Sequence, residues 1–262
     1  MVQRVKVLAM AALIWTVIPG EAGAQAGDLL LEQRPERGRS LAAGEAERLA
    51  GGSAAIAGGG WHSLWVQVDG TVQAWGDNGY GQLGDGTTVN RAAPGAVSGL
   101  AGVVRVAAGL THSAAVDSEG QVWVWGGNQF GQFGEGTTAN RTTPVRLNGF
   151  TGGAQVAAGA YHTRALKTDG TVWAWGRNAD GQLGNGTVQD RLTPVQVSGL
   201  TSVVGIDAGT GHSVAVRTDG TVWTWGGNGY GQLGDGTLNG RTVPVQVGGV
   251  TGATVVAAGG YH

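Results

Sequence analysis

Residues 169–187 read DGTVWAWGRNADGQLGNGT, and close copies of this stretch begin at residues 69, 119 and 219. An Asp-Gly pair followed by β-branched and aromatic residues is a strong signal for a β-hairpin. The Gly-rich run after it keeps no helical period and is typical of a long loop. The stretch therefore predicts short strands joined by turns, and its recurrence every 50 residues marks a repeat protein.

Other residues keep the same spacing, and we interpret three of their series as the residues that build the scaffold. These are His62, His112, His162 and His212; Trp75, Trp125, Trp175 and Trp225; and Arg91, Arg141, Arg191 and Arg241. Trp173 and Trp175 lie two residues apart, so we expect them to share one face and to pack against the next repeat. Four short strands in about fifty residues make one blade of a β-propeller. We expect an all-β fold with full blades at 55–104, 105–154, 155–204 and 205–254 and the start of a fifth at 255–262.

These repeats resemble those of the regulator of chromosome condensation family. The resemblance rests on a His-Ser/Thr pair, the run Asp-Gly-Thr-Val-Trp-x-Trp-Gly-x-Asn-x-x-Gly-Gln-Leu-Gly-x-Gly-Thr and an Arg-x-x-Pro tail. It implies a seven-bladed ring, of which only four blades and the start of a fifth are present. We therefore expect a truncated chain that forms an open arc, with an exposed edge through which it self-associates.

The N-terminal residues have the features of an export signal. Arg4 and Lys6 precede a largely apolar stretch at 7–18, and small residues follow at 22–26. We predict a signal peptide at 1–24 and a linker at 25–54, with no membrane span left after cleavage. The predicted location is the periplasm, the cell surface or the exterior of a bacterium.

Composition argues against several classes of function. The chain has a formal net charge of −2, only 13% charged residues and no cysteine. No basic face is available for nucleic acid, and thiolate metal sites and disulfides are excluded.

Motifs that resemble ligand sites have simpler explanations. Residues 79–84 fit the dinucleotide pattern G-x-G-x-x-G, but no helix follows to meet a pyrophosphate. The five histidines belong to five different units, which disfavours one metal site, and we expect each ring to bond to nearby backbone. Turn chemistry explains Asp85 and its equivalents better than calcium does. We expect the repeated arginines to donate to loop carbonyls, with an anion site as the secondary interpretation. We predict no catalytic residue, metal or cofactor, and no enzyme.

Three positions vary among otherwise similar units, and they lie in predicted loops. In the first unit these positions hold Trp61, Asp77 and Tyr80, and in the other units they are the residues 50, 100 and 150 positions later. Aromatic and charged residues at these positions are typical of protein-binding surfaces. The alternative is that the aromatics cover blade edges. The candidate partner-binding residues are Trp61, Tyr80, Phe130, Tyr161, Arg177, Asp180 and Tyr230.

We therefore expect an exported, non-enzymatic scaffold that binds a protein or a surface polymer. The resemblance to bacterial secreted propellers implies that such a scaffold can inhibit an extracellular enzyme. The alternative is guanine-nucleotide exchange on a small GTPase, as in the eukaryotic family member, although a signal peptide argues against it. Light sensing, as in the plant UV-B receptor, is disfavoured because Gly60 and its equivalents stand where that receptor has tryptophan.

Overall fold

A computed structural model of the chain describes residues 56–262, and every structural statement below concerns these residues. The predicted signal peptide at 1–24 and linker at 25–54 lie outside them. Within the described part of the chain, no helix is long and apolar enough to cross a membrane.

Sixteen strands form four antiparallel sheets, and in each sheet the strands lie side by side in chain order. Blade 1 holds β1 (Ile56–Gly58), β2 (His62–Val66), β3 (Val72–Gly76) and β4 (Arg91–Ala96). Blade 2 holds β5 (Val103–Ala108), β6 (His112–Asp117), β7 (Val122–Gly126) and β8 (Arg141–Arg146). Blade 3 holds β9 (Gly153–Ala158), β10 (His162–Lys167), β11 (Val172–Gly176) and β12 (Arg191–Gln196). Blade 4 holds β13 (Val203–Ala208), β14 (His212–Arg217), β15 (Val222–Gly226) and β16 (Arg241–Gln246).

The Asp-Gly turn between the second and third strands of a blade follows from its residues. Asp69 Oδ1 accepts hydrogen bonds from the backbone N–H of Thr71 at 2.9 Å and from its hydroxyl at 2.7 Å. Gly70 has a φ of +79°, which a residue with a Cβ rarely adopts. The hydroxyl and backbone bonds from Thr71 also lower the pKa of Asp69, because they favour the carboxylate.

The apolar interior of the molecule lies between the blades, at boundaries that we call seams. The seam of blades 1 and 2 buries Leu64 and Leu83 of blade 1 together with Val106 and Trp125 of blade 2. The next two seams repeat this pattern. The indole N–H of Trp125 donates to the Gln82 carbonyl at 2.9 Å, so this tryptophan packs on the preceding blade. The Trp175 indole N–H donates to the Gln132 carbonyl of blade 2 at 2.6 Å in the same way. The expectation that Trp173 and Trp175 pack on the next blade is therefore wrong, because both pack on the preceding one.

The four blades follow one another along an open arc. The first strands of the blades, β1, β5, β9 and β13, are neighbours in that order. After β16, residues 247–262 form no strand, but Gly259 N–H bonds to the His262 carbonyl at 2.9 Å, as Gly59 bonds to His62 at 2.8 Å. The predicted all-β fold of four propeller blades in an open arc is confirmed.

Candidate binding face

The repeated histidines hold neighbouring blades together. The Ser113 hydroxyl donates to the Gln82 carbonyl at 2.8 Å and lies 2.9 Å from His62 Nε2. A hydroxyl has one hydrogen, so His62 must carry its proton on Nε2 and donate it to Ser113. His112 repeats the arrangement with Thr163 at 3.0 Å. For His62 and His112 the expected backbone partner is therefore wrong, because a hydroxyl of the next blade takes its place.

Burial keeps these rings neutral. The Nδ1 atoms of His62 and His112 are buried without a hydrogen-bond partner, so a proton added there would find no acceptor. Burial lowers the pKa of His62 to about 4 and that of His112 to about 3. Among the described residues, no group of three or more His, Cys, Asp or Glu side chains could hold a metal ion. His62 and His112 therefore act in their seams as neutral donors.

A glycine three residues before each histidine makes room for its ring. A Cβ on Gly109 would lie 2.4 Å from His112 Cε1 and 2.5 Å from the Gly159 carbonyl. Both distances are far below van der Waals contact, so a side chain at this position would force the ring or the backbone to shift.

The seam of blades 3 and 4 departs from this pattern. His162 is buried, and neither of its ring nitrogens has a hydrogen-bond partner in the structure. The neighbouring buried residue is Arg164, where the other blades have Leu64, Ala114 and Val214. Its guanidinium donates to the Asp207 carbonyl, and burial lowers its pKa to about 9. Sequence reasoning missed this arginine, although its break with the repeat was visible.

The repeated arginines brace the long loop between the third and fourth strands, but not through its carbonyls. Arg91 pairs with Asp85 at 2.8 Å, and Arg241 pairs with Asp235 at 2.7 Å. The loop carbonyls instead accept hydrogen bonds from the Asn78 side chain, whose Nδ2 donates to the carbonyls of Thr87 and Val89 at 3.1 Å each. The expectation that the arginines donate to loop carbonyls is therefore wrong, because Arg91 and Arg241 donate to carboxylates of the loop instead.

The third unit lacks the acid of this ion pair, because Asn185 stands there. Arg191 makes no ion pair, and its Nε is buried without a hydrogen-bond partner. The other three units all pair an arginine with a carboxylate six residues earlier.

The three variable positions meet at one end of the blades, which we call the loop face. It carries, in each blade, the connection between the first and second strands and the connection between the third and fourth strands, since antiparallel strands in chain order place alternate connections at one end. All seven candidate residues lie on these connections: Trp61, Tyr80, Phe130, Tyr161, Arg177, Asp180 and Tyr230. Trp61 and Tyr230 are 67% and 77% exposed.

The variable residues contact one another across seams. The rings of Phe130 in blade 2 and Tyr161 in blade 3 lie 5.0 Å apart between centroids. The Arg177 guanidinium lies 5.9 Å from the Phe130 ring, and its Nη2 is 4.0 Å from Asp180 Oδ2. Positions that are distant in sequence therefore form one continuous cluster.

A second aromatic pair lies at the end of the arc. The Tyr230 and Tyr261 rings are 5.6 Å apart in an edge-on arrangement. Tyr261 was not among the candidates, although it occupies the same repeat position as Trp61 and Tyr161 and could have been found from that.

The family model of the Regulator of chromosome condensation (RCC1) repeat matches residues 69–116, 119–166, 169–216 and 219–262. A second model for the same repeat matches 103–132, 154–182 and 203–232. No curated protein matches the chain significantly.

Solved structures of two proteins show the same architecture. Human WBSCR16 is 27% identical, with a TM-score of 0.71 over 78% of this chain and 55% of its own. Prp20p of Saccharomyces cerevisiae is 28% identical, with a TM-score of 0.65 over 73% of this chain and 49% of its own. Yeast RCC1 (Prp20) bound to Kap60 is 27% identical, with a TM-score of 0.66 over 73% of this chain and 48% of its own. The chain thus spans about half the length of these proteins.

Proposed function

Because the chain belongs to the regulator of chromosome condensation (RCC1) repeat family, we propose that it is a non-enzymatic propeller scaffold that binds a protein through the loop face. One observation carries this proposal: the positions that vary among the repeats meet across seams on one surface. His62, His112, Trp125 and Trp175 make their hydrogen bonds inside the seams, so these repeated residues are not available to a partner.

The chemistry of the loop face supports a protein partner. Tyrosine, tryptophan and arginine are the residues that carry most binding energy at protein interfaces. Trp61, Phe130, Tyr161, Arg177 and Tyr230 supply all three types. The strands below them hold these side chains on a rigid base, which reduces the entropy lost on binding.

The same proposal includes the location of the protein, which we place outside the cytoplasm. The N-terminal sequence supports export, so the partner is an extracellular or periplasmic protein or a surface polymer, and inhibition of an extracellular enzyme is one form that such binding takes. No contact with nucleic acid is proposed, because a formal net charge of −2 does not favour binding to a phosphate backbone.

Nucleotide exchange on a small GTPase is the second proposal. Prp20p, whose structure was described with its binding to Gsp1p and histones, matches this chain at 28% identity over about half of its own length. Release of a fluorescent guanine nucleotide from a purified small GTPase would test it, and acceleration by this chain would replace the first proposal.

The test of the loop face uses a photo-crosslinking amino acid at Tyr230 in the full chain. We expect a crosslinked protein that is absent when the same group is placed at Glu119, which lies at the opposite end of a blade. Phe130→Ala and Tyr230→Ala should each weaken binding of that purified protein at least about tenfold, the effect of losing one hot spot. Unchanged affinity in both variants would overturn the proposal, and Glu119→Ala is the matched control.

A further inference from the structure

Two neighbouring seams of the loop face differ in how they are filled. At the seam of blades 2 and 3, the three variable positions hold Phe130, Tyr161 and Arg177, whose side chains contact one another. At the seam of blades 3 and 4, the same positions hold Asp180, Gly211 and Gly227. The second seam therefore has a carboxylate where the first has a ring, and no side chains where the first has a tyrosine and an arginine.

The carboxylate borders the space that those missing side chains would fill. A Cβ on Gly211 would lie 3.0 Å from Asp180 Oδ2, and one on Gly227 would lie 3.6 Å from Asp180 Cβ. The Asp180 side chain is 44% exposed, so a partner can reach it. Neither glycine has a positive φ, so backbone conformation does not explain the absence of side chains at these positions.

The chain itself shows how a guanidinium lies on this face. Arg177 lies over the Phe130 ring and within 4.0 Å of Asp180 Oδ2. That ion pair is at the outer limit of direct contact and exposed, so it leaves Asp180 able to accept further hydrogen bonds. A carboxylate has two oxygens and about four lone-pair sites, which accommodates two guanidinium groups.

We propose that the binding partner places an arginine side chain in the space bordered by Asp180, Gly211 and Gly227. This inference rests on the loop face being the binding surface. Arginine fits because its planar guanidinium donates two parallel hydrogen bonds to a carboxylate, and the two glycines place no side chain in its way. The incoming group thereby takes the place that Arg177 occupies one blade earlier.

The experiment titrates the full chain with the peptide Ac-Gly-Arg-Gly-NH2 and follows the backbone amides of Gly211 and Gly227 by NMR. We expect saturable shifts of these two amides, and no saturable shift with the matched Gln peptide. Asp180→Asn keeps the shape and removes the charge, so it should weaken binding at least about fivefold, in the range of a lost charge-assisted hydrogen bond. Glu119→Gln removes a charge from the opposite end of a blade and should change nothing.

Gly227→Arg gives the decisive variant, since it introduces the residue that blade 3 already carries at this position. A Cβ at 227 meets its nearest atom, the Gly211 carbonyl oxygen, at 3.3 Å, so the backbone accepts it with a small adjustment. We expect the new side chain to occupy the space and abolish peptide binding. Far-ultraviolet circular dichroism checks that the variant folds, and Asp180→Asn remains a complete test if it does not.

Three results would overturn the inference: equal shifts with the Gln peptide, unchanged affinity in Asp180→Asn, or shifts of the same amides by a Glu peptide alone. The last would assign the site to anions that bind Arg177. The larger proposal has a separate readout, because crosslinking at Tyr230 does not depend on Asp180. Crosslinking without arginine binding refutes only this site, whereas loss of crosslinking refutes the loop face.

Discussion

Lowering the pH from 7 to 5 should destabilise the protein through its buried histidines. The pKa of His62 falls from 6.5 to about 4 on folding, and that of His112 falls to about 3. Below pH 6.5 the unfolded chain therefore binds more protons than the folded chain, so stability falls as the pH falls. The loss begins near pH 6.5 and is complete only below the folded pKa values.

The magnitude follows from proton linkage. At pH 5 each of these two histidines should cost about 2 kcal/mol relative to pH 7, or about 4 kcal/mol together. This is a large share of the roughly 5–15 kcal/mol that stabilises a typical protein. Urea denaturation followed by tryptophan fluorescence at pH 7, 6 and 5 measures it, since Trp125, Trp175 and Trp225 are buried in the seams.

Two variants separate this cause from others. His112→Asn removes one titrating ring, so the pH slope of the unfolding free energy between pH 6 and 5 should fall by about 1.2 kcal/mol per pH unit. Thr163→Val removes the hydroxyl that accepts from His112 but keeps the ring, so the slope should persist at lower overall stability. A wild-type change below about 1 kcal/mol from pH 7 to 5, or an unchanged slope in His112→Asn, would refute the reasoning.

Three further predictions concern the scaffold, each measured as a change in the free energy of unfolding by urea. Gly109→Ala should cost about 1–3 kcal/mol because its Cβ would collide with a histidine ring, whereas Gly79→Ala, whose Cβ would make only ordinary contact with the Asp77 carboxylate at 3.8 Å, should change stability by less than about 0.5 kcal/mol. Equal effects at both glycines would contradict this. Asn185→Asp should give Arg191 its missing partner and stabilise the protein by up to about 1 kcal/mol, an effect that must weaken in high salt if it is an ion pair. Trp125→Phe should cost about 1–3 kcal/mol because it removes the donor to the preceding blade and leaves a smaller ring, and a neutral result would show that this hydrogen bond is dispensable.

Strands and turns were predictable because each unit carries its own local signals. Asp69 and Gly70 define a hairpin turn without help from distant residues, and the structure forms that turn with the bonds expected of Asp beside Gly. The ion pairs that hold the long loop between the third and fourth strands were predicted less well. The sequence shows acids six residues before three of the arginines, but turn chemistry already explained the acids and concealed the ion pair.

Contacts between blades were not predictable from the spacing alone. His62 and Ser113 are 51 residues apart, and so are His112 and Thr163. A periodic sequence does not tell whether a side chain faces the next unit or the preceding one, since both neighbours offer the same residues. For this reason the tryptophans were assigned to the wrong neighbour. The contact of Phe130 with Tyr161 was hidden in the same way, although both residues were already candidates.

The sharing of each apolar cluster between two blades has a consequence for how such a chain evolves. A single sheet has no interior of its own, so stability comes from neighbouring pairs rather than from separate units. A duplicated stretch of 50 residues contains the residues of one whole blade, whichever residue the duplication begins at. It therefore adds one complete seam, because it supplies one surface that packs on the preceding blade and one that packs on the following blade. Substitutions at Tyr80 or Tyr230 leave those boundaries intact. The number of repeats and the choice of partner can therefore change independently during evolution.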